Sequence, residues 1–257
     1  CAGRRWGKSR LSISKIIRAA ASGRKQRVWY VAPTYQMARQ ILWDDLQETI
    51  PRKWVAKKND TTMTIVLKNG SEIALKGADK PDTLRGVALN FVVLDEFQDM
   101  KPDTWYKVLR PTLSSTRGGA LIIGTPKGFS EFHKLWTIGQ NEDLQKKGQW
   151  KSWQFVTADS PFVPEAEIDA ARNDMDPKSF AQEYLASFEN MSGRVYYPFD
   201  RKTHVKDVAF NPKLPIWVGQ DFNIDPMSSV ILQPQPNGEV WAIDEVVLFS
   251  SNTSEVC

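Results

Sequence analysis

Apolar residues recur along this chain with two different periods, and stretches of one alternate with stretches of the other. Over residues 10–22, Leu11, Ile13, Ile16, Ile17 and Ala20 fall at helical spacing, and Gly23 supplies a stop. Val28-Trp29-Tyr30-Val31-Ala32 is a short apolar run closed by Pro33, which reads as a buried strand. Thr34 stands where it can cap a helix over 35–49, whose apolar positions are Met37, Ala38, Ile41, Leu42 and Leu46. Residues 61–75 switch to alternation, with Met63, Ile65 and Leu67 on one side of Asn69-Gly70 and Ile73 and Leu75 on the other. That dipeptide between alternating runs is a hairpin signal.

Residues 90–94 and 119–124 are continuous apolar runs of the kind a parallel sheet buries on both faces. Residues 102–113 read as a helix after Pro102, 153–156 as one more strand, and 164–189 as two helices with Pro177 between them. Strands separated by helices predict an α/β fold, a mostly parallel sheet with flanking helices over 1–189. Residues 190–206 hold Gly193, Pro198 and several aromatics without any period and read as a linker. Runs at 216–221, 229–232 and 240–245, with a turn at Pro236-Asn237-Gly238, predict three antiparallel strands opening a second domain over 207–257.

Bulk composition narrows the picture only a little. The 257 residues are 41% apolar and 25% charged, enough for a sizeable core. A net charge of +4 permits an anionic partner without demanding one. The two cysteines are Cys1 and Cys257, so neither a disulfide framework nor a zinc spacing follows, and a reducing compartment is expected. No run of about 18 apolar residues suggests a membrane span, and the Gly/Arg-rich start is unlike a secretory signal.

The candidate chemistry lies at the ends of the predicted strands. Ala2-x-x-x-x-Gly7-Lys8-Ser9 fits the phosphate-loop pattern except that Ala2 replaces the first glycine. In such a loop backbone N–H groups and a helix N-terminus hold phosphate oxygens. The Lys8 ammonium would reach the terminal phosphates and the Ser9 hydroxyl would ligate magnesium. Val92-Val93-Leu94-Asp95-Glu96 ends a buried strand in two acids, Asp95 suited to hold magnesium and Glu96 to polarise the attacking water. Thr125, in Gly124-Thr125-Pro126, puts a hydroxyl at a third strand tip, where it could sense the γ-phosphate. Arg4, Arg5 and Arg85 are arginine-finger candidates.

In the second domain Asp221 and Glu245 each end a predicted strand, and acids on adjacent strands can hold metal ions for phosphodiester hydrolysis; two surface acids near turns are commonplace and that reading outweighs the metal site on this pattern alone, with Asp225 and Asp244 as nearby competitors. His133 and His204 are isolated. Lys53, Lys57, Lys58, Lys146, Lys147 and Lys151 could touch phosphates, but scattered lysines are normal on any surface.

A phosphate loop ordinarily follows a buried strand, which leads us to expect an internal piece of a longer protein. In their order, Gly3-Arg4-Arg5-Trp6-Gly7-Lys8-Ser9, Ala32-Pro33-Thr34-Tyr35, Leu84-Arg85-Gly86, Val93-Leu94-Asp95-Glu96 and Gly124-Thr125-Pro126 resemble the large terminase subunit of tailed bacteriophages and prophages. Residues 180–199, with Ser192-Gly193-Arg194-Val195-Tyr196, resemble that family's inter-domain stretch. Gly219-Gln220-Asp221-Phe222 and Ile243-Asp244-Glu245 resemble the start of its RNase H-like nuclease.

The resemblance implies a P-loop domain of RecA/ASCE type followed by an RNase H-like α/β domain. It implies a motor that threads double-stranded DNA into a procapsid and a nuclease that cuts the concatemer. ATP and Mg2+ would be bound by Gly3, Arg4, Arg5, Gly7, Lys8, Ser9, Asp95 and Thr125, with Ser9 and Asp95 on the metal and Glu96 as base. Arg85 or Arg4 would be the finger, and Asp221 and Glu245 two of three nuclease metal ligands, the third lying beyond residue 257. The partners implied are DNA, a small terminase subunit, a portal protein and further copies in a ring, in the bacterial host cytoplasm and transiently at the procapsid, with no membrane. Terminase genes host inteins, and a chain bounded by Cys1 and Cys257 would suit a segment between two insertions. A helicase-like ATPase and a prophage remnant that only binds DNA are the competing readings.

Overall fold

The computed structural model describes residues 1–188, 201–221 and 226–249. Contacts divide the chain into two units, Cys1–Arg194 and Val195–Cys257. The first is built on a six-stranded sheet of β1 (Arg27–Ala32), β2 (Val55–Asn59), β3 (Thr64–Leu67), β4 (Glu72–Gly77), β5 (Phe91–Leu94) and β6 (Gly119–Ile122), in the order β2-β3-β4-β1-β5-β6. The strands β4, β1, β5 and β6 run parallel, and β3 and β2 continue the sheet antiparallel.

The sequence of β1 explains its central place. Five successive residues, Val28 to Ala32, are buried, and alternate side chains serve opposite faces. Val28, Tyr30 and Ala32 join a core with Ile13, Ile16, Leu42, Trp43 and Leu46, beneath α1 (Lys8–Ala21) and the helical stretch 35–49. Trp29 and Val31 join another with Val92, Leu94, Phe97, Trp105 and Leu109. Each fully buried aliphatic side chain contributes about 1.5–3 kcal/mol, so a run this apolar fits only a strand covered on both sides.

The 35–49 stretch is helical throughout, with a π turn at Arg39–Trp43, and Thr34 caps it by accepting from the Met37 amide at 3.1 Å. The Asn69-Gly70 turn joins β3 to β4, with Gly70 at φ +82. Asn69 Nδ2 also donates to the Ala20 and Gly23 carbonyls, fastening the hairpin to the end of α1.

Several expectations need correction. Residues 153–156 form no strand; Phe155 makes a single bridge to Ala2. Strand β2 reads Val-Ala-Lys-Lys-Asn and is mostly exposed at the sheet edge, so it carries no apolar alternation to find. The helices Glu131–Ile138 and Glu142–Lys146 add to the elements expected from the pattern. Pro177 opens the helix Pro177–Glu183, with Asp176 capping it, rather than merely separating two helices. The expected linker contains a helical turn, Arg201–His204; its residues 190–200, Ser192-Gly193-Arg194-Val195-Tyr196 included, lie outside the described residues.

The second unit contains β7 (Trp217–Asp221), β8 (Met227–Pro234) and β9 (Val240–Leu248), antiparallel, with β8 in the middle. Met227, Ser229 and Gln233 lie on its buried face, and Gln233 exchanges two hydrogen bonds with the Asn211 backbone. Phe222 and Asp225 lie outside the described residues. Among the described residues, no helix is long and apolar enough to cross a membrane.

Candidate nucleotide site at the strand tips

The loop before α1 is held from three sides. The Ala2 amide donates to the Gly124 carbonyl at the end of β6, the Gly3 amide to Phe155, and the Arg4 amide to Glu183 at the end of Pro177–Glu183. Thr157 Oγ1 donates to the Arg4 carbonyl at 2.8 Å. Gly3 has no room for a side chain, since a Cβ there would lie 2.5 Å from Thr157 Oγ1. Gly7 sits at φ 114, ψ 21, a left-handed conformation that turns the chain into the helix. No described side chain caps α1, so its first-turn N–H groups are left to an acceptor in front of the helix.

Lys8, the first residue of α1, directs its ammonium back into the loop. Its Nζ donates to Ala2 O at 3.1 Å, Gly3 O at 3.3 Å and Thr125 Oγ1 at 3.0 Å. Burial pushes its pKa down, with Glu96 and Asp95 acting in the opposite sense. The lysine of the first motif, the hydroxyl at the third strand tip and the acids at the second therefore share one neighbourhood.

Asp95 is 2% exposed. Its Oδ2 accepts from Tyr30 Oη at 2.7 Å, and its Oδ1 from the Glu96 amide at 2.9 Å. Burial raises its pKa from 3.8 to about 6, opposed by the Tyr30 hydrogen bond. Burial and the adjoining Asp95 push the Tyr30 phenol well above its usual range. Glu96 adopts a left-handed backbone, φ 51 and ψ 46, unusual for a non-glycine residue, and Gln98 Nε2 donates to its carboxylate at 2.6 Å.

A cleft of about 690 Å³ opens here, lined among others by Arg4, Lys8, Ser9, Glu96, Gln98 and Thr125; Arg5 and Gly7 also line it. A second cleft of about 700 Å³ runs beside β6, with Trp105, Trp150 and Trp153 in its wall. The second lacks the carboxylates, and we assign the chemistry to the first.

The other candidates are placed differently. Arg4 donates from Nε to Glu183 Oε2, which with its charge raises the arginine's pKa. Arg85 is exposed, pairs with Asp82 at 2.8 Å and is outside the cleft lining. Asp221 and Glu245 are not on adjacent strands, as expected from sequence, because β8 runs between theirs; nor does Glu245 end a strand, since β9 continues to Leu248. Asp221 pairs with Ser228 and Glu245 with Val230, so both acids share one exposed face, about 12 Å apart at Cα by ordinary sheet spacings. Among the described residues no group of three or more His, Cys, Asp or Glu is gathered for a metal ion.

Tyr30, Gln98, Thr157 and Glu183 escaped the sequence reading. Only Tyr30 left a signal there, a phenol inside an apolar strand that needs a buried partner.

The sequence model of the family "Terminase large subunit, T4likevirus-type, N-terminal" matches residues 1–203. The terminase large subunit of Escherichia phage T5 is 30% identical over 216 residues, covering 81% of this chain and 47% of the relative. That of Thermus phage G20c is 26% identical over 272 residues, covering 86% and 54%. The chain thus spans about half the length of these curated relatives. The large terminase ATPase domain of Thermus phage P74-26 superposes with a TM-score of 0.63 at 27% identity, covering 74% of this chain and 87% of that domain. The large terminase of a second thermophilic bacteriophage, solved with ADP, is 16% identical with a TM-score of 0.59, covering 96% of this chain and 62% of that one, and so is like it in fold. With its strand-tip motifs inside the matched region, this chain belongs to the terminase large subunits, in their T4-like N-terminal family.

Proposed function

We infer that the first unit hydrolyses ATP with Mg2+ to drive double-stranded DNA into a viral procapsid. The observation that carries this is the Lys8 ammonium, bonded to Thr125 at the head of a helix and acting electrostatically on Asp95 and Glu96. Nucleotide binding is supported by the P74-26 protein's description as an ATPase domain and by structures of the second thermophilic-phage terminase with ADP and with ATP-gamma-S.

Lys8 exchanges its loop carbonyls for phosphate oxygens when a triphosphate enters, and the amides of Arg5 and Gly7 line the phosphates' path, joined by those of Gly3 and Arg4 only once they leave the Phe155 and Glu183 carbonyls. The residues fit a magnesium ion: Ser9 and Asp95 offer hard oxygen donors, and Asp95 is a buried carboxylate that accepts from a phenol and an amide. Such an ion would draw charge from the phosphates. In hydrolysis the oxygen of water bonds to the γ-phosphorus, the bond from that phosphorus to the β–γ bridging oxygen breaks, and Glu96 takes the proton of the water.

Thr125 reports the loss of the γ-phosphate to the β6 tip. Arg4 acts within the chain after leaving Glu183, and exposed Arg85 serves a neighbouring copy in a ring. The second unit opens an RNase H-like nuclease in which Asp221 and Glu245 supply two of three metal ligands. The domain plan is an ATPase over 1–189, a linker over 190–206 and the nuclease start over 207–257. Further partners are a small terminase subunit and a portal protein, in the host cytoplasm and at the procapsid.

The test is DNA-stimulated ATPase activity of the intact subunit with a translocation assay on duplex DNA. Hydrolysis with movement and no unwinding is expected. Strand displacement would favour a helicase, and hydrolysis no faster than that of Glu96→Ala would favour a remnant that only binds DNA.

A further inference from the structure

Gln98 stands beside the acids but belongs to none of the motifs. It lies in the turn Phe97–Asp99 after β5. Its Nε2 donates to Glu96 Oε2 at 2.6 Å and to Asp99 Oδ2 at 3.3 Å. Two carboxylates around one nitrogen fix which way the carboxamide faces, since turned over it would set an acceptor against acceptors. In this orientation Oε1 is buried and accepts no hydrogen bond from any described residue. Buried unpaired acceptors are uncommon in folded proteins.

The oxygen lies against Gly124 at the end of β6. A Cβ on Gly124 would collide with Oε1 and fall 3.2 Å from the amide carbon. Real Cβ atoms essentially never come so close, so a side chain at 124 would make the carboxamide, the far end of a flexible side chain, move; the glycine is the space into which it fits. Two more bonds tie the same turn to this segment: the Phe97 amide donates to the Ile123 carbonyl at 3.2 Å, and Lys127 Nζ to Asp99 Oδ1 at 2.8 Å. The backbone of Glu96 is already set in its left-handed conformation. What remains to be fixed is its side chain, and Gln98 makes the hydrogen bond that fixes it.

We propose that Gln98 is a positioning residue that holds the Glu96 carboxylate at the cleft wall, and that Gly124 is its required seat, so that the tip of β6 and the hydrolytic base move as one. This rests on the reading of Glu96 as the base. Gln98 acts through Glu96, and its loss would impair the reacting state more than nucleotide binding.

The experiment measures steady-state ATP hydrolysis by the intact subunit for wild type, Gln98→Ala, Gly124→Ala, the double variant and Glu96→Gln, with binding of a fluorescent ATP analogue and Mg2+ as a second readout. Gln98→Ala should lower kcat by roughly tenfold to a hundredfold, with KM for ATP and analogue binding within about twofold of wild type. Gly124→Ala should lower kcat comparably by displacing the carboxamide, yet add little once Gln98 is alanine, because both act through one contact. Unchanged kcat in Gln98→Ala, equal losses of analogue binding and kcat, or additive effects in the double variant would each overturn the assignment. If Glu96→Gln itself keeps wild-type turnover, the reading of Glu96 fails first. If Glu96→Gln is inactive while Gln98→Ala is not impaired, only the present inference falls.

Discussion

Two pairs of acids mark the two units, and the protein holds them in opposite ways. Asp95 is buried, each oxygen engaged by a donor, at the tip of a parallel strand, near a lysine at the head of α1 that bonds a threonine just after β6. Asp221 and Glu245 lie on the exposed face of an antiparallel sheet with β8 between them. Burial costs a carboxylate its hydration, so the first pair exists only because surrounding groups were arranged to support it. An exposed acid needs no such arrangement, and its position alone says little about its task. The difference lies in the burial of Asp95 rather than in the acids themselves.

The largest effect that could break this contrast is on turnover. A general base contributes roughly 10²–10⁴-fold, so Glu96→Gln in the intact subunit should lower kcat for ATP by at least about a hundredfold while nucleotide binding persists. Asp221→Asn should leave the same kcat unchanged. Steady-state ATPase assays check both, and a comparable loss from Asp221→Asn would mean that the second unit takes part in hydrolysis.

The next effect is on stability. The folded-state pKa of Asp95 is raised from 3.8 to about 6 by burial. A raised carboxylate stabilises the fold where it is protonated, so its contribution is complete below about pH 4 and is lost as pH rises through about 6. At about 1.4 kcal/mol per pKa unit the loss is about 3 kcal/mol. Asp95→Asn should recover about that much at pH 8 in the nucleotide-free, metal-free protein, because the new carboxamide can accept from the Glu96 amide and donate to the Tyr30 oxygen. Denaturant unfolding at pH 4 and pH 8 checks it, the variant losing the wild-type slope. An Asp95→Asn protein less stable than wild type at pH 8 would show that the buried charge is better supported than its surroundings indicate.

The sequence disclosed the parts of this site but not its supports, for a physical reason. Lys8, Asp95 and Thr125 each end or begin an element whose periodicity is strong, so both the elements and their tips could be placed. Val28 to Ala32 and residues 90–94 are apolar because both faces are covered, which made the parallel sheet legible. Strand β2 is exposed at an edge and leaves no such trace. Glu183 and Thr157 reach Arg4 across more than 150 residues of sequence, and no local pattern encodes a contact of that separation. Gln98 stands two residues from Glu96, yet its role depends on Gly124 arriving from a neighbouring strand end. In the second unit the alternation gave three antiparallel strands, but which strands are neighbours is a matter of sheet order, and that misplaced Asp221 beside Glu245.

Tyr30→Phe probes the support of Asp95 with the acid left in place. The substitution keeps the ring in its core and removes only the hydroxyl that donates to Oδ2. A buried oxygen left without its donor costs about 1–3 kcal/mol, and the cost depends on charge: the Tyr30 bond favours the ionised carboxyl, so its removal should hurt more at pH 8 than at pH 4. Unfolding measurements at the two pH values would show this as a destabilisation that grows with pH, opposite in sign to that of Asp95→Asn. Equal losses at both would mean that the hydroxyl serves packing alone.

The smallest effect is expected at the other acids. Asp221→Asn and Glu245→Gln change side chains on an exposed sheet face, where substitutions stay within about 0.5 kcal/mol. The thermal midpoint should then move by no more than about 2 °C. A shift several times larger would show that these acids contribute to the stability of the fold as Asp95 does, and the contrast between the two units would then be one of degree.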